Sequence, residues 1–217
     1  MAVLKRKAGS MRAGKEAPAD LTRGYILKAA AKLFRNQGYA ATTLRQIAES
    51  AGIQAGSVYY HFRSKDEILL EILDTGIDEV QKSVENQLAS LPSDATSRQK
   101  IAAAIEGHLA GLILHGDFTS ASIRTYGQLP ANLKRSNQER RRAYSAFWDD
   151  LLTEASERGE MRPGMDRHVA RLVVLGAVNW TVEWYDPRNG TVPQSAKQIA
   201  PLTAAGLSGR ASSCVNK

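Results

Sequence analysis

The chain has 217 residues, a formal net charge of +7 and one cysteine, Cys214. Residues 1–72 hold 12 basic and 6 acidic side chains, against 17 and 16 in the remainder, so +6 of the charge lies in the first third. This concentration favours a polyanionic partner over solvated lysines without a function. One cysteine excludes an internal disulfide framework, and no apolar run approaches the roughly 18 residues of a membrane span, so we expect a soluble cytoplasmic protein.

The first 37 residues predict a flexible arm followed by a supporting helix. Residues 1–20 combine Lys and Arg with Gly, Ser, Ala and Pro, a composition that cannot bury a core. From Thr22 to about Gln37 apolar residues recur at helical spacing, and Gly38 stands where a helix commonly ends.

Residues 42–65 show the pattern of a helix-turn-helix. Thr43 and Gln46 form a capping box that starts one helix, and Gly52 allows the positive φ that a tight turn requires. Val58 and Phe62 anchor a second helix, which leaves its opposite face free. That face carries small or hydrogen-bonding residues suited to base edges and phosphate oxygens: Gln54, Ala55, Gly56, Ser57, Tyr60 and His61.

The rest of the chain predicts helices without strands, so the fold class is all-α. Ser64 can cap a further helix with Glu67 three residues on. The best body helices lie near residues 97–114, 119–128, 136–158 and 166–185. A last short helix is predicted where Ser195 and Gln198 form a capping box, with Pro201 in a position to interrupt it.

The order of LFRNQGYAATT, IAESAG, SVYYHF and SKDEIL within residues 22–72 resembles the N-terminal domain of TetR-family repressors. The resemblance implies that the second motif helix enters the major groove of double-stranded operator DNA and that the protein is a homodimer. It also implies three parts. These are a flexible basic arm at 1–20, a three-helix helix-turn-helix head at 21–66, and a larger helical ligand-binding and dimerisation body at 67–217.

The same resemblance implies roles for individual head residues. Arg45 matches a position that can reach a guanine edge, and Arg can contact O6 and N7 together. The residues that match phosphate-holding positions are Thr43, Tyr59, His61 and Lys65. Gln54, Ala55, Gly56 and Ser57 open the recognition helix, where exposed N–H groups favour a phosphate, and Tyr60 can pack on a sugar or thymine methyl. Alternatively, Tyr59 packs against the first helix and Thr43 only caps.

In TetR-like bodies the last two long helices form the dimer interface, here residues 136–158 and 166–185. Their apolar stripes are Tyr144, Phe147, Trp148, Leu151 and Leu152 on one helix, and Val169, Leu172, Val173, Gly176, Ala177 and Trp180 on the other. The alternative is that these residues fill the core of a single subunit.

Residues 176–190 resemble the end of the last body helix in TetR-like regulators of fatty-acid and sterol degradation, which commonly sense acyl-coenzyme A thioesters. Such a ligand needs an apolar tunnel and cations for its phosphates. The candidate ligand residues are Phe118, Arg124, Tyr126, Arg141, Trp148, Trp180 and Trp184. Alternatively, the basic run is solvated and the aromatic residues are core. A multidrug or other small-lipophile sensor of the same family is a second hypothesis.

No enzyme motif assembles, so no catalytic residues, cofactor or metal are predicted. The sequence lacks a G-x-S-x-G elbow, a P-loop and a G-x-G-x-x-G loop. His108 and His115 lie seven apart, whereas helical metal pairs usually lie three or four apart. The prediction is therefore a ligand-responsive repressor in the bacterial cytoplasm, on the nucleoid when bound. A ligand-independent DNA-binding protein is the rival, which a body of this length disfavours.

Overall fold

The computed structural model describes residues 18–127, 129–186, 188 and 190–207, and these contain ten helices. The helices are α1 (Pro18–Gln37), α2 (Leu44–Ala51), α3 (Ala55–His61), α4 (Lys65–Ala89), α5 (Ser97–Leu114), α6 (Gly116–Tyr126), α7 (Ala131–Glu157), α8 (Arg167–Asn179), α9 (Thr181–Trp184) and α10 (Val192–Leu207). The all-α prediction is confirmed.

The head consists of α1 to α3 packed on the first half of α4. The Thr43 hydroxyl accepts from the Gln46 backbone N–H, and the Gln46 side chain accepts from the Thr43 backbone N–H, so the predicted capping box is present. Gly52 ends α2 at φ 69°, in the left-handed conformation that glycine adopts without strain. Val58 and Phe62 are buried as predicted and fix α3 against the rest of the head.

The helix α1 begins at Pro18, four residues before the predicted start. Residues 18–20 of the predicted arm are therefore helical, with proline at the first position, where its missing N–H costs no hydrogen bond. The rest of the arm, at residues 1–17, lies outside the described residues, as does Cys214.

The body is organised around α5, which packs closely on α4. A Cβ atom built on Gly107 would lie 2.6 Å from the Val84 Cα, and one on Gly111 would lie 2.8 Å from the Val80 Cα. Glycine at these two positions therefore lets the two helix backbones approach. The ends of α5 agree with the predicted helix at residues 97–114.

Four body elements differ from their predictions. α6 begins at Gly116, three residues before the predicted start at 119, and ends at Tyr126, two residues before the predicted end. α7 begins at Ala131, because Pro130 stands just before its first turn. The predicted helix at 166–185 is divided at Trp180 into α8 and α9. Finally, Ser195 lies inside α10 instead of capping it, and the helix passes through Pro201. Packing explains its continuation, because buried residues recur on one side of α10 at Ala196, Ala200, Ala204 and Leu207.

Among the described residues, no helix combines the length and apolar character that crossing a bilayer requires.

Candidate DNA-binding and effector sites

The helix α3 presents side chains that the head does not use for its own packing. Tyr59 is 62% exposed and Tyr60 83%, so Tyr59 does not pack against α1. A Cβ built on Gly56 would meet no atom within 4 Å, so the fold does not require glycine there. The other motif residues predicted to contact DNA are exposed or half-buried: Gln54, Ala55, Ser57 and His61. The α3 face is open to a partner.

Arg45 lies on the exposed side of α2. Its Nε is 3.0 Å from Glu49 Oε1, one turn further along the helix, and its side chain is 84% exposed. An exposed pair of this kind contributes about 0–1 kcal/mol, so the guanidinium can leave Glu49 for a base edge at small cost. The geometry is compatible with the predicted base contact.

Lys65 has an internal role beside its predicted contact with phosphate. Its ammonium donates to the backbone oxygens of Tyr39 at 2.8 Å and Thr42 at 2.7 Å, and it lies 4.2 Å from the centre of the Tyr39 ring. The Tyr39 hydroxyl also hydrogen-bonds to the Asp66 carboxylate. Burial lowers the pKa of Lys65, and the nearby Asp66 opposes that shift. Lys65 thus ties the start of α4 to the turn between α1 and α2.

A cavity of about 110 Å³ lies in the body between α4, α5, α6, α7 and α8. Most of its wall is aliphatic or small. The lining residues are Gly76, Ile77, Val80, His108, Leu112, Thr119, Ser122, Ile123, Arg141, Tyr144, Ser145, Leu175 and Asn179.

Arg141 is the cation of this wall. Its guanidinium stacks on Tyr126, 3.8 Å from the ring centre, and makes no ion pair or hydrogen bond within the described part of the chain. Burial lowers the pKa of Arg141, although a guanidinium keeps its charge in proteins. The preceding residue differs, because Arg140 pairs with Asp74 at 3.1 Å and Asp78 at 2.5 Å. Arg141 therefore presents an uncompensated charge that an anionic ligand can neutralise.

A second polar feature of the wall is a hydrogen-bonded array of Tyr144, His108 and Asn179. The Tyr144 hydroxyl lies 2.6 Å from His108 Nδ1, and His108 Nε2 lies 3.0 Å from Asn179 Oδ1. Since the Asn179 oxygen accepts, Nε2 carries the proton, and the Tyr144 hydroxyl donates to Nδ1. Burial lowers the pKa of His108 to about 4, so the ring is neutral near pH 7.

Of the seven predicted ligand residues, Arg141 alone lies in this wall. Tyr126 supports it, whereas Phe118 packs on the head core and Arg124 pairs with Glu183 at 2.8 Å. Trp148 is fully buried behind the wall, in edge contact with the His108 ring. Trp180 and Trp184 are 65% and 51% exposed on the outside of the body. Their positions suit a partner surface better than a ligand wall.

His108 and Asn179 line the cavity although the sequence did not predict them there. A signal for His108 was present, since it is a polar side chain within a helix of Ala, Ile, Leu and Gly. His108 and His115 have different partners, because His115 lies 3.3 Å from Glu79 whereas His108 contacts Tyr144 and Asn179. The described residues contain no group of three metal-ligating side chains.

An apolar face is exposed on α8 and α9. Its large side chains are Val169, Leu172, Val173, Trp180 and Trp184. An apolar groove beside it, of about 630 Å³, runs between α8 and α10 and includes the 76% exposed Leu202. The other predicted interface stripe differs, because Tyr144, Trp148 and Leu152 of α7 are buried in the core of the subunit. The exposed apolar face and the groove beside it are therefore formed by α8, α9 and α10.

Comparison with known proteins agrees with the two-part architecture. Residues 26–72 match the model of the tetR family of bacterial regulatory proteins, and residues 94–207 match the tetracyclin repressor-like C-terminal domain. The HTH-type transcriptional repressor KstR2 of Mycobacterium tuberculosis is 30% identical, over 82% of this chain and 86% of the relative. The fatty acid metabolism regulator protein of Bacillus subtilis is 27% identical, over 72% and 79%.

Solved structures show the same fold. The ketosteroid transcriptional regulator KstR2 of Mycobacterium tuberculosis superposes with a TM-score of 0.76 at 24% identity, covering 91% of this chain and 99% of that one. AibR in complex with isovaleryl coenzyme A and operator DNA gives 0.72 at 23% identity, covering 83% and 97%. The chain therefore belongs to the TetR family of bacterial transcriptional regulators.

Proposed function

We propose that the protein is a homodimeric transcriptional repressor that binds an inverted-repeat operator and is released by a small-molecule effector, without catalysing a reaction. Cytoplasmic location, on the nucleoid when bound, follows from that role. One observation carries the ligand-responsive part: a cavity in the body has an unpaired, half-buried guanidinium, Arg141, in a mostly apolar wall. A protein that only bound DNA would have no use for such a site.

We propose an acyl-coenzyme A thioester as the effector. The aliphatic wall suits an acyl chain, and Arg141 suits an anionic carrier at its entrance. The repressor and fatty-acid regulator relatives, together with the isovaleryl coenzyme A complex of AibR, support this class.

The route from cavity to head runs through α6. The cavity of about 110 Å³ is smaller than the roughly 300 Å³ of ordinary ligand pockets, so a bound acyl group has to displace its wall. Thr119, Ser122 and Ile123 of α6 line that wall, and Asp117 of the same helix pairs with Arg35 of α1 at 2.5 Å. Displacement of α6 should therefore move α1, which packs in one core with α2 and α3 of the helix-turn-helix.

Operator release by thioesters tests the effector. We expect acyl-coenzyme A thioesters to release a fluorescent operator duplex while free coenzyme A does not. Affinity should rise by about 0.8 kcal/mol for each buried methylene until the cavity is filled. Tryptophan emission reports binding independently of DNA. Release by polar cationic drugs, with no effect of any thioester, would instead establish a multidrug-type sensor.

Neighbouring arginines supply a matched pair of variants for this experiment. Arg141→Glu should weaken the thioester strongly, because it places a negative charge in the cavity wall. Arg142→Glu makes the same change at the next, exposed position and should have a smaller effect. Equal effects of the two variants would show that general charge, and not the cavity, determines binding.

A substitution on the exposed face of α8 tests the proposed dimer. Val173→Asp places a charge on a side chain that is 60% exposed in the single subunit and buried in the proposed dimer. We expect a monomer in sedimentation and loss of binding to a selected inverted repeat. Leu114→Asp changes a 76% exposed leucine of α5 that belongs neither to α8 nor to the lining of the groove beside it, and should leave the dimer intact. A wild-type protein that sediments as a monomer at micromolar concentration would end the dimer model.

A further inference from the structure

The polar array has hydrogen-bonding capacity that the protein does not use. The Asn179 oxygen accepts from His108, which leaves the two amide N–H donors without a partner in the described part of the chain. The Tyr144 hydroxyl gives its proton to His108, and its oxygen, which the Trp148 indole N–H also faces, keeps a lone pair for one further donor. Both side chains line the cavity. A donor pair and an acceptor are thus available to whatever occupies this end of the cavity.

The array lies deeper in the body than Arg141. His108 is 3% exposed and Tyr144 9%, whereas Arg141 is half-buried and reaches outward to Tyr126. Arg141 and Tyr144 lie one helical turn apart on α7, so the cavity presents its cation and its neutral hydrogen-bonding array on neighbouring parts of the wall. A ligand with its anionic carrier at Arg141 therefore brings the part of its acyl group nearest the thioester to the array.

The charge state of the array fixes what it can bind. Because burial lowers the pKa of His108 to about 4, the ring keeps one donor and one acceptor nitrogen near pH 7. Its neighbours are then held in one arrangement, with Asn179 offering N–H groups and Tyr144 offering an oxygen. A plain alkyl chain would bury these groups without a partner, which is costly, whereas a ligand oxygen satisfies them.

We infer that the array is a specificity-determining site for an oxygen atom on the acyl group, beyond the thioester carbonyl. A carbonyl oxygen there accepts from the Asn179 amide, and a hydroxyl can also donate to the Tyr144 oxygen. The effector class is then a hydroxy- or oxo-substituted acyl thioester. This inference rests on the proposed function, in which the cavity holds an acyl thioester.

The test compares hexanoyl-coenzyme A with its 3-hydroxy, 3-oxo and 5-oxo derivatives on the full-length protein. Tryptophan quenching measures the dissociation constants, since the Trp148 ring centre lies 6.0 Å from that of His108. We expect at least one oxygenated derivative to bind about tenfold more tightly than hexanoyl-coenzyme A, because one hydrogen bond to an otherwise unpaired buried group changes affinity by about that factor. Four equal dissociation constants would overturn the inference.

Variants assign the preference to the array. Tyr144→Phe and Asn179→Ala should reduce this preference, which is the ratio of the two dissociation constants, to about twofold or less, whatever they do to the affinity for hexanoyl-coenzyme A itself. Ser145→Ala removes another cavity hydroxyl outside the array and should retain the full preference. Loss of the preference in Ser145→Ala, with retention in the other two, would place the oxygen site elsewhere. Thermal unfolding checks that each variant folds. If Tyr144→Phe does not fold, the preference measured with Asn179→Ala decides the test.

The same measurements distinguish the oxygen site at the array from the proposal that the effector is an acyl thioester. Thioesters that bind and release DNA without discriminating oxygenated chains would overturn the array and leave the effector class standing. Failure of all four compounds to bind, or to release DNA, would overturn both.

Discussion

The head and the body differ in how function is combined with stability. In the head, most residues proposed to contact DNA are exposed and lie outside the core, as Tyr60 and Arg45 do, and Lys65 is the exception because it also donates to two backbone carbonyls. In the body, the residues proposed to contact the effector, such as His108 and Tyr144, lie within the core. Substitutions should therefore separate binding from stability in the head, whereas in the body the two properties change together.

The largest expected effect comes from Gly107 in the body. Gly107→Ala places a Cβ 2.6 Å from the Val84 Cα and 2.8 Å from the Ser83 oxygen, both of them backbone atoms that cannot rotate away. We expect a loss of about 3 kcal/mol in the free energy of unfolding, measured by urea denaturation. Gly24→Ala is the control, because its Cβ meets nothing within 4 Å and should be neutral or stabilising. Similar stability of both variants would contradict the close approach of α4 and α5.

Within the head, Arg45 and Lys65 should respond differently to replacement by alanine. Arg45→Ala should cost about 1–3 kcal/mol on the preferred operator, relax one position of the selected motif and leave unfolding unchanged. Lys65→Ala should weaken all sequences alike and reduce the salt slope by roughly one unit. It should also destabilise the head by about 1–2 kcal/mol, because two carbonyls lose their charged donor. Identical profiles in binding-site selection and denaturation would refute the assignment.

Protonation of His108 should couple stability to pH. The unfolded chain binds a proton at this residue below about pH 6.5, whereas the folded chain does so only below about pH 4. The unfolded state therefore gains more protons as pH falls, and stability decreases in that direction. Between pH 7.5 and pH 5 we expect a loss of about 2 kcal/mol from this group. His108→Gln should remove that part of the dependence, and an unchanged profile would show that the ring is not buried in its neutral form.

Replacement of Gly56 should have the smallest effect, with opposite signs for the stability of the fold and for operator affinity. Gly56→Ala in the exposed face of α3 should stabilise the protein by about 0.5–1 kcal/mol, since alanine favours helix over glycine and meets no neighbour. The added methyl group should at the same time weaken operator binding if α3 approaches DNA closely. Thermal unfolding and fluorescence anisotropy measure the two quantities. Tighter or unchanged binding would exclude contact of this position with DNA.

The sequence predicted the head better than the body because the signals of the head are local. The capping box of Thr43, the turn at Gly52 and the buried Val58 depend on residues close in the chain, and all three are confirmed. The cavity instead arises where five helices from distant parts of the chain meet, and no spacing rule connects Gly76 to Asn179. Of the residues that the sequence predicted for the ligand, Arg141 lies in this wall, and its role there stays a prediction.

The tryptophans also show that a local sequence pattern does not predict tertiary contacts. Residues at helical spacing predict an apolar stripe but do not tell which partner it faces. Trp148 faces the core of its own subunit, whereas Trp180 and Trp184 face outward. The same ambiguity affected the predicted interface, in which the stripe of α7 is internal and that of α8 is exposed.

The helix α8 carries cavity residues and exposed apolar residues on the same short segment. Leu175 and Asn179 line the cavity, while Leu172 and Val173 point away from it. A ligand that moves α8 from within therefore alters the surface on which a second subunit would pack. Effector affinity should then depend on protein concentration, and dilution to monomers should shift the apparent dissociation constant of the ligand by the same factor by which the ligand shifts dimerisation.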